Sequence, residues 1–552
     1  MRADVAFVNG AIWTGDPGRP WARSLCVTYG RVAALDDDRE CAAAHETVDL
    51  GGRTVVPGFN DAHHHLALRG RRLATLDVGH AAAPTRDRLL GLVAHKAREL
   101  APDEWVRGGG FDQNRIGGFP TREELDAAGG GRPVLLSHVS EHIAVASTAA
   151  LRAAGIADLR RPPDIPGGRI VLGADGAATG LLLENAKKWF DATLKPHRID
   201  ELVGFLDTAS RTALAEGITS ITDPGVGGLD GIGMGRADLH GYLTARERGS
   251  LGVRVTAMPY ITTTHALAGL EPGVDGWGLD LGLRTGFGDE FLRLGAVKVL
   301  SDGSLIGRTS ALHEPYCAHA PGEEPGRGML AFDPERLAET LGLLHRSGWQ
   351  LAVHAIGDRA VDLAVGHVEE AQRRHPRHDA RHRIEHCGIA SPEAVQRIAR
   401  AGIVPVPQGR FLWELGDGFL DALGEQRSRS VYRMKSFLDA GVVLPGSSDT
   451  PVVDAHPMKG IHAMVNRRTA QGRLIGPQER LTVEQAVRAY THGSAYAAGE
   501  EGIKGRIVPG LLADLAVLDA DPFAVDPRDL ADIAVVATVV GGRVVHGADA
   551  LA

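Results

Sequence analysis

Eight short apolar segments, separated by stretches of helical length, punctuate the middle of this chain. They begin at Thr54, Ile218, Arg254, Leu294, Gln350, His382, Ile403 and Val442. From the second onward the starts lie 36, 40, 56, 32, 21 and 39 residues apart. A strand with its crossover helix uses about 30–40 residues, so this spacing predicts βα units. Helix signals fall between the segments. Asp333-Pro334 and Ser391-Pro392 are N-caps with Pro at the first helical position, and these helices stop at Gly348 and Gly402. A third helix is expected from Ser430 to Ala440, before Gly441. Thr482-x-x-Gln485 reads as a capping box. Eight such units predict an α/β chain folded as a (β/α)8 barrel of the TIM type.

One interval breaks the rhythm. From Thr54 to Ile218 there are 164 residues, so the first connection carries an insertion at about 66–198. It contains strand-like stretches of its own, Arg132 to Leu136 and Pro166 to Val171. Loops of this size after barrel strands serve as lids or substrate domains, or as structural elaborations. The chain ends read differently from the middle. Residues 1–55 alternate apolar and polar around Asn9-Gly10 and Tyr29-Gly30, and residues 500–552 do the same around Gly541-Gly542. Together they predict a small β-sandwich built from both termini, beside a barrel of residues 56–499.

Composition narrows the function. The chain has 552 residues and a formal net charge of -9. That mild acidity offers no electrostatic footprint for nucleic acid. No apolar run approaches the ~18 residues that span a bilayer, so no membrane partner is expected. The first ten residues contain no apolar signal-peptide core, which predicts a cytoplasmic protein. Cys26, Cys41, Cys317 and Cys387 form no CxxC pattern, and reduced thiols are expected.

Barrel enzymes work at the C-terminal ends of their strands. At those ends stand chemically capable residues. Asp61-Ala62-His63-His64-His65 follows the first strand, and His63 and His65, two apart, face one side. Lys298 stands in the fourth strand, one of only eight lysines in the chain. His354 ends the fifth strand, His386 ends the sixth, and Asp449 follows the eighth. Each alone is an ordinary polar residue; their joint placement is the signal. Neutral imidazoles and carboxylates suit zinc and similar divalent ions. Such an ion acidifies a bound water and polarises a carbonyl. Asp449 is the candidate acid–base group. Burial lowers a lysine pKa, and a neutral Lys298 amine can add CO2 to give an anionic carbamate.

The stretch Val56 to His65 resembles the PGFxDxHxH signature of the amidohydrolase superfamily. Gly295 to Lys298 with Asp302-Gly303-Ser304, His354 to Asp358, Arg383 to His386 and Ser447 to Pro451 look like its YtcJ-like branch, which includes N-substituted formamide deformylases. Gly110 to Asn114, Phe119 to Arg122 and Arg132 to Val134 look like that branch's insertion. The chain departs from the branch pattern at Glu141, where Gly is usual before His142, and at Ala146, where Asn is usual. The resemblance implies His63, His65, His354 and His386 as metal ligands, Lys298 as a carboxylated bridge between two ions, and Asp449 as ligand and proton shuttle. It implies one or two Zn2+ per chain and a homodimer.

Four further residues are candidates for substrate contact: Asp112 and His142 in the insertion, Arg308 after the fourth strand and Gln408 at the end of the seventh. Cys387 is not expected to be a nucleophile, because strand alternation turns it away from the side His386 faces. The expected activity is hydrolysis of an amide-type C–N bond in a small molecule. A mononuclear aminohydrolase acting on a heterocycle is the alternative, with His386 holding the water and Lys298 uncarboxylated. An isomerase or lyase on the same scaffold and a non-catalytic binding protein are the remaining readings.

Overall fold

Five of the eight apolar segments form parallel strands whose side chains are buried on both faces, as strands covered by crossover helices must be. In the computed structural model those five are β2 (Ile218–Val226), β3 (Arg254–Pro259), β6 (Leu351–Ala355), β7 (Arg383–His386) and β8 (Val404–Val406), and the parallel strands β1 (Phe59–Asp61), β4 (Leu292–Leu294) and β5 (Val297–Leu300) join them. The structure describes residues 2–551 except 102–103, 114, 139–142, 166–167, 185, 188, 191–196, 229–232, 272–273 and 318–325. Strands β1 to β4 form one parallel sheet and β5 to β8 a second. Parallel bridges link Tyr260 with Lys298, Gln408 with Ser447 and His64 with Thr450. Caps occur where the sequence signals them: Asp333, Ser391 and Thr482 each accept a backbone N–H of the following helix.

Four expectations are corrected. The segment from Thr54 is not one strand. Thr54–Pro57 pairs antiparallel with Leu515–Leu518, and only Phe59–Asp61 pairs with β2. The chain changes sheets at Gly58, where a Cβ would lie 2.3 Å from Thr219 Oγ1, so only glycine fits. The segment from Leu294 is also split, because Gly295 donates its N–H back to Ala257 O while β5 pairs with β6. The eighth segment, from Val442, makes no ladder, and its strand pairing is limited to isolated bridges at Ser447 and Thr450. Pro445 has no N–H to give, and the Gly446 N–H goes to Ala489 O instead. Finally, the helix expected from Ser430 spans only Met434–Asp439, since Tyr432 has a φ of 50° and donates its N–H to Gly388 O.

The termini share a sheet. Arg543–His546, Val535–Val540, Leu515–Leu518, Thr54–Pro57, Ala11–Trp13 and Trp21–Ala22 lie side by side in that order. Phe7, Ile12, Leu25 and Val55 from one end pack with Leu515, Val517 and Val539 from the other. Nearby, Cys26 and Cys41 form a disulfide with Cα atoms 5.5 Å apart, which corrects the expectation of reduced thiols. The short helix Asp38–Ala42 carries Cys41 against the strand Leu25–Thr28 in a buried cluster with Ala3, Ala6 and Ala44. Their separation of 15 residues gives no hint of this contact.

The chain divides into two compact units, Met1–Arg69 with Leu202–Ala552, and Gly70–Glu201. The second unit has a six-stranded sheet of its own, from Leu76–Asp77 to Ala178–Glu184, and two apolar cores. Among the described residues no helix is long and apolar enough to cross a membrane.

Candidate metal centre

Asp61, the last residue of β1, organises the loop that follows it. Its Oδ1 accepts the backbone N–H groups of His63 at 3.2 Å and Ser448 at 2.9 Å. Its Oδ2 accepts from the Ser448 hydroxyl and from His64 Nδ1. The Asp449 N–H donates to His63 O at 2.7 Å, and the His65 N–H to Thr450 O at 3.0 Å. The two chain segments are thus laced together. His64 is turned toward Asp61, while His63 Nε2 and His65 Nε2 lie 3.3 and 3.2 Å from one atom, Asp449 Oδ1. Ligand atoms of these three buried residues all lie within 4.8 Å of one another.

The other candidates surround this triple. The His386 ring centroid is 5.0 Å from that of His63 and 4.4 Å from that of His354. Lys298 on β5 is 1% exposed and interacts with the charges of Glu385 and Asp449. Of the sequence-derived metal candidates, the structure gathers all six. Arg308 is exposed on the loop after β5, and Asp112 lies in the second unit with Oδ2 3.6 Å from Arg115 Nε. His142 lies outside the described residues. Gln408, the candidate for substrate contact at the end of the seventh segment, lies at the bridge to Ser447. It is fully buried, its Oε1 accepts from His386 Nδ1 at 2.7 Å, and its Nε2 donates to Val406 O and Ser447 Oγ. Both its donor hydrogens are thus spent within the protein, and its oxygen takes up the His386 ring.

Electrostatics follow from the burial. Desolvation alone would raise the Asp449 carboxyl, but His63, His65 and His386 outweigh it and hold the group well below the carboxylate range. Burial pushes His386 well below the imidazole range, and His354 adds to this. Burial lowers Lys298 to about 8 against the opposing pull of Glu385 and Asp449. Imidazoles, an ionised carboxylate and a readily deprotonated amine are the donor set a divalent cation takes. His386, Cys387 and Asp449 also hold left-handed backbone with φ of 68°, 45° and 64°. Non-glycine residues adopt that region at a cost and cluster there at functional sites. Because His386 and Cys387 both depart from strand geometry, alternation is not what silences Cys387. Its thiol is fully buried, and burial pushes its pKa up, away from the nucleophilic thiolate.

Four buried carboxylates contact these residues without having been singled out in the sequence. Asp61 laces the loops, as above. Glu385 Oε2 lies 2.5 Å from His63 Nδ1 and is paired with Arg383. Asp302 accepts the N–H groups of Ile356, Gly357 and Ala311, and lies 3.3 Å from His354 Nε2. Asp223, in β2, faces His65, and burial raises its carboxyl to about 6. The one available signal was Arg383 and Glu385, two apart on a strand that has to be buried, hence an ion pair on one face.

A model of the amidohydrolase family matches residues 46–546. The chain belongs to the amidohydrolase family. It is 31% identical to the protein YtcJ of Bacillus subtilis (strain 168) over 91% of this chain and 90% of that one. It is 29% identical to the N-substituted formamide deformylase of Arthrobacter pascens, over 98% of this chain and 97% of the relative. Among solved structures, an uncharacterized metal-dependent hydrolase from Pyrococcus furiosus superposes with a TM-score of 0.77 at 28% identity, covering 94% of this chain and 99% of the other. This amidohydrolase is accordingly a metal-dependent hydrolase that acts on carbon–nitrogen bonds.

Proposed function

We propose that this amidohydrolase cleaves a formamide-type or other small amide, using a metal centre that His63, His65, His354, His386, Asp449 and a carboxylated Lys298 would hold. The convergence of His63 Nε2 and His65 Nε2 on Asp449 Oδ1 carries the reading. The identity with an N-substituted formamide deformylase supports the bond type. The parallel pairings and the bridges at His64, Tyr260 and Gln408 support a closed (β/α)8 barrel, with the site at the C-terminal strand ends. Residues 1–55 and 500–552 would form the β-sandwich, and 66–198 the insertion.

A bound divalent ion, zinc by the imidazole-rich donor set, supplies a Lewis acid and an acidified water. The chain supplies the proton handling and the geometry. Asp449 is ionised at neutral pH, so its carboxylate accepts the proton of the attacking water and returns it to the departing amine nitrogen. Glu385 and Gln408 hold the His63 and His386 rings in place. The Lys298 ammonium, with its pKa lowered to about 8, would lose one proton to give the neutral amine, which would add CO2 and release a second proton to give an anionic carbamate able to hold a divalent ion.

A second reading has one observation in its favour. Among the described residues only His63, His65 and Asp449 meet within 4.8 Å, which suits a single ion and an aminohydrolase acting on a heterocycle. Metal content per chain, for the wild type and Lys298→Ala, separates the two. Two ions falling to one or fewer, with release of formate or another acid from N-formyl and N-acyl amines, supports the dinuclear hydrolase. One ion in both proteins, with ammonia released from aminated heterocycles, supports the second. No metal after reconstitution sinks both.

A further inference from the structure

Every histidine of the centre but one has a hydrogen-bond partner on a ring nitrogen. His63 has Glu385, His386 has Gln408, and His354 Nε2 has Gly303 O at 3.1 Å and Asp302 Oδ1 at 3.3 Å. His65 Nδ1 is the exception: it is buried and has no hydrogen bond. The group facing it is Asp223 Oδ1, at 4.0 Å. We propose that Asp223 is the positioning residue for His65, a carboxylate that takes the Nδ1 proton and leaves the Nε2 lone pair for a metal ion.

Two features aim Asp223 at that task. Its Oδ2 is pinned by the Leu66 N–H at 2.9 Å and by the hydroxyl of the fully buried Tyr242. Oδ1 is thereby directed at the imidazole. The Leu66 bond also ties the carboxylate to the residue next to His65, so ring and carboxylate move as one piece. A closure of about 1 Å brings the pair into hydrogen-bond range. A carboxylate behind a ligating imidazole fixes its tautomer and raises its basicity, and removing such a partner costs about 10–100-fold in metal affinity. An amide cannot substitute. In Asp223→Asn the oxygen would keep accepting from Leu66 and Tyr242, and the NH2 would face His65 Nδ1. That forces the proton onto Nε2, the nitrogen turned toward Asp449.

The inference rests on the metal-centre reading above, and the experiment separates the two. Zinc affinity is measured by competition with a chromogenic chelator for wild type, Asp223→Asn and Tyr242→Phe, alongside the melting temperature of each metal-free protein. The expected result is about 10–100-fold weaker zinc binding in Asp223→Asn, with a metal-free melting temperature at or above that of wild type. Tyr242→Phe, which loses only the hydroxyl that aims Oδ2, weakens binding by a smaller factor. Wild-type affinity in a folded Asp223→Asn overturns the proposal, and so does a fall in metal-free stability without loss of affinity. Where Asp223→Asn does not fold, wild-type affinity in Tyr242→Phe overturns it. A wild-type protein that takes up no zinc overturns the metal-centre reading and this inference together.

Discussion

His63 Nδ1 and Glu385 Oε2 meet at 2.5 Å although 322 residues separate them in the chain. Arg383 holds the other side of the carboxylate, with Nε 2.7 Å from Glu385 Oε1, and its Nη2 also donates to Ala62 O. One buried pair on β7 therefore fixes both the ring and the backbone of the loop after β1. Desolvation would raise the Glu385 carboxyl, but Arg383 and His63 outweigh it and hold it well below its ordinary range. Glu385 is thus an anion, and His63 carries its proton on Nδ1.

Glu385→Gln should weaken zinc binding about 10–100-fold. It also leaves Arg383 as a buried uncompensated cation, which costs about 3–5 kcal/mol. The double variant Arg383→Met/Glu385→Gln should recover much of the stability and none of the affinity. Chelator competition and thermal melts on the three proteins check this; stability and affinity moving in parallel would refute the separation.

Asp449→Asn should lower turnover by about 10²–10⁴, the usual contribution of a positioned acid–base group, while the protein still binds zinc through its histidines. Metal analysis and a steady-state assay with N-formyl amines test it. Normal turnover in a metal-loaded variant would remove Asp449 from the mechanism.

Some of this was readable from the chain and some was not, for physical reasons. That His63 and His65 share a side while His64 does not is local: side chains two apart on extended backbone point the same way. Helix caps at Asp333 and Ser391 are local too. The partners behind the histidines are not local. Glu385, Asp302 and Asp223 reach across strands whose pairing no short window contains. The same holds for Cys26 with Cys41. The eighth segment misled because its apolar composition promised a strand, while Pro445 and the Gly446–Ala489 bond remove its ladder. Gln408 was correctly placed at a strand end, but its hydrogen bonds decide its role.

Gly58→Ala should be strongly disruptive. The new Cβ would sit 2.3 Å from Thr219 Oγ1 and 2.5 Å from its Cγ2, in a strand with no room to yield. Overpacking of this kind costs about 1–3 kcal/mol. The strain falls three residues before Asp61, so zinc affinity should drop with stability. A thermal melt and a zinc titration check both; a variant with wild-type values would show that the crossing between sheets is plastic.

The buried histidine pair beneath the strands should make stability sensitive to acid. Leu351 N–H donates to His382 Nδ1 at 3.0 Å, His382 Nε2 faces His345 Nδ1 at 2.8 Å, and His345 Nε2 meets His375 O at 2.6 Å. This chain assigns one proton to each ring, and each acceptor nitrogen is already used. A second proton on either ring would set N–H against N–H. Burial lowers both groups, His382 well below the imidazole range, and the Arg377 charge adds to this. The unfolded chain takes up protons below about pH 6.5 that the folded protein refuses. Stability is therefore present above that pH and is lost as pH falls below it. The slope is about 1.4 kcal/mol per pH unit for each proton taken up only by the unfolded state. His382→Asn keeps an acceptor for Leu351 and removes one titrating ring. It should lower the melting temperature at pH 7.5 through the lost contact to His345, yet flatten the decline between pH 7 and 5. Parallel declines in the two proteins would show that the acid sensitivity arises elsewhere.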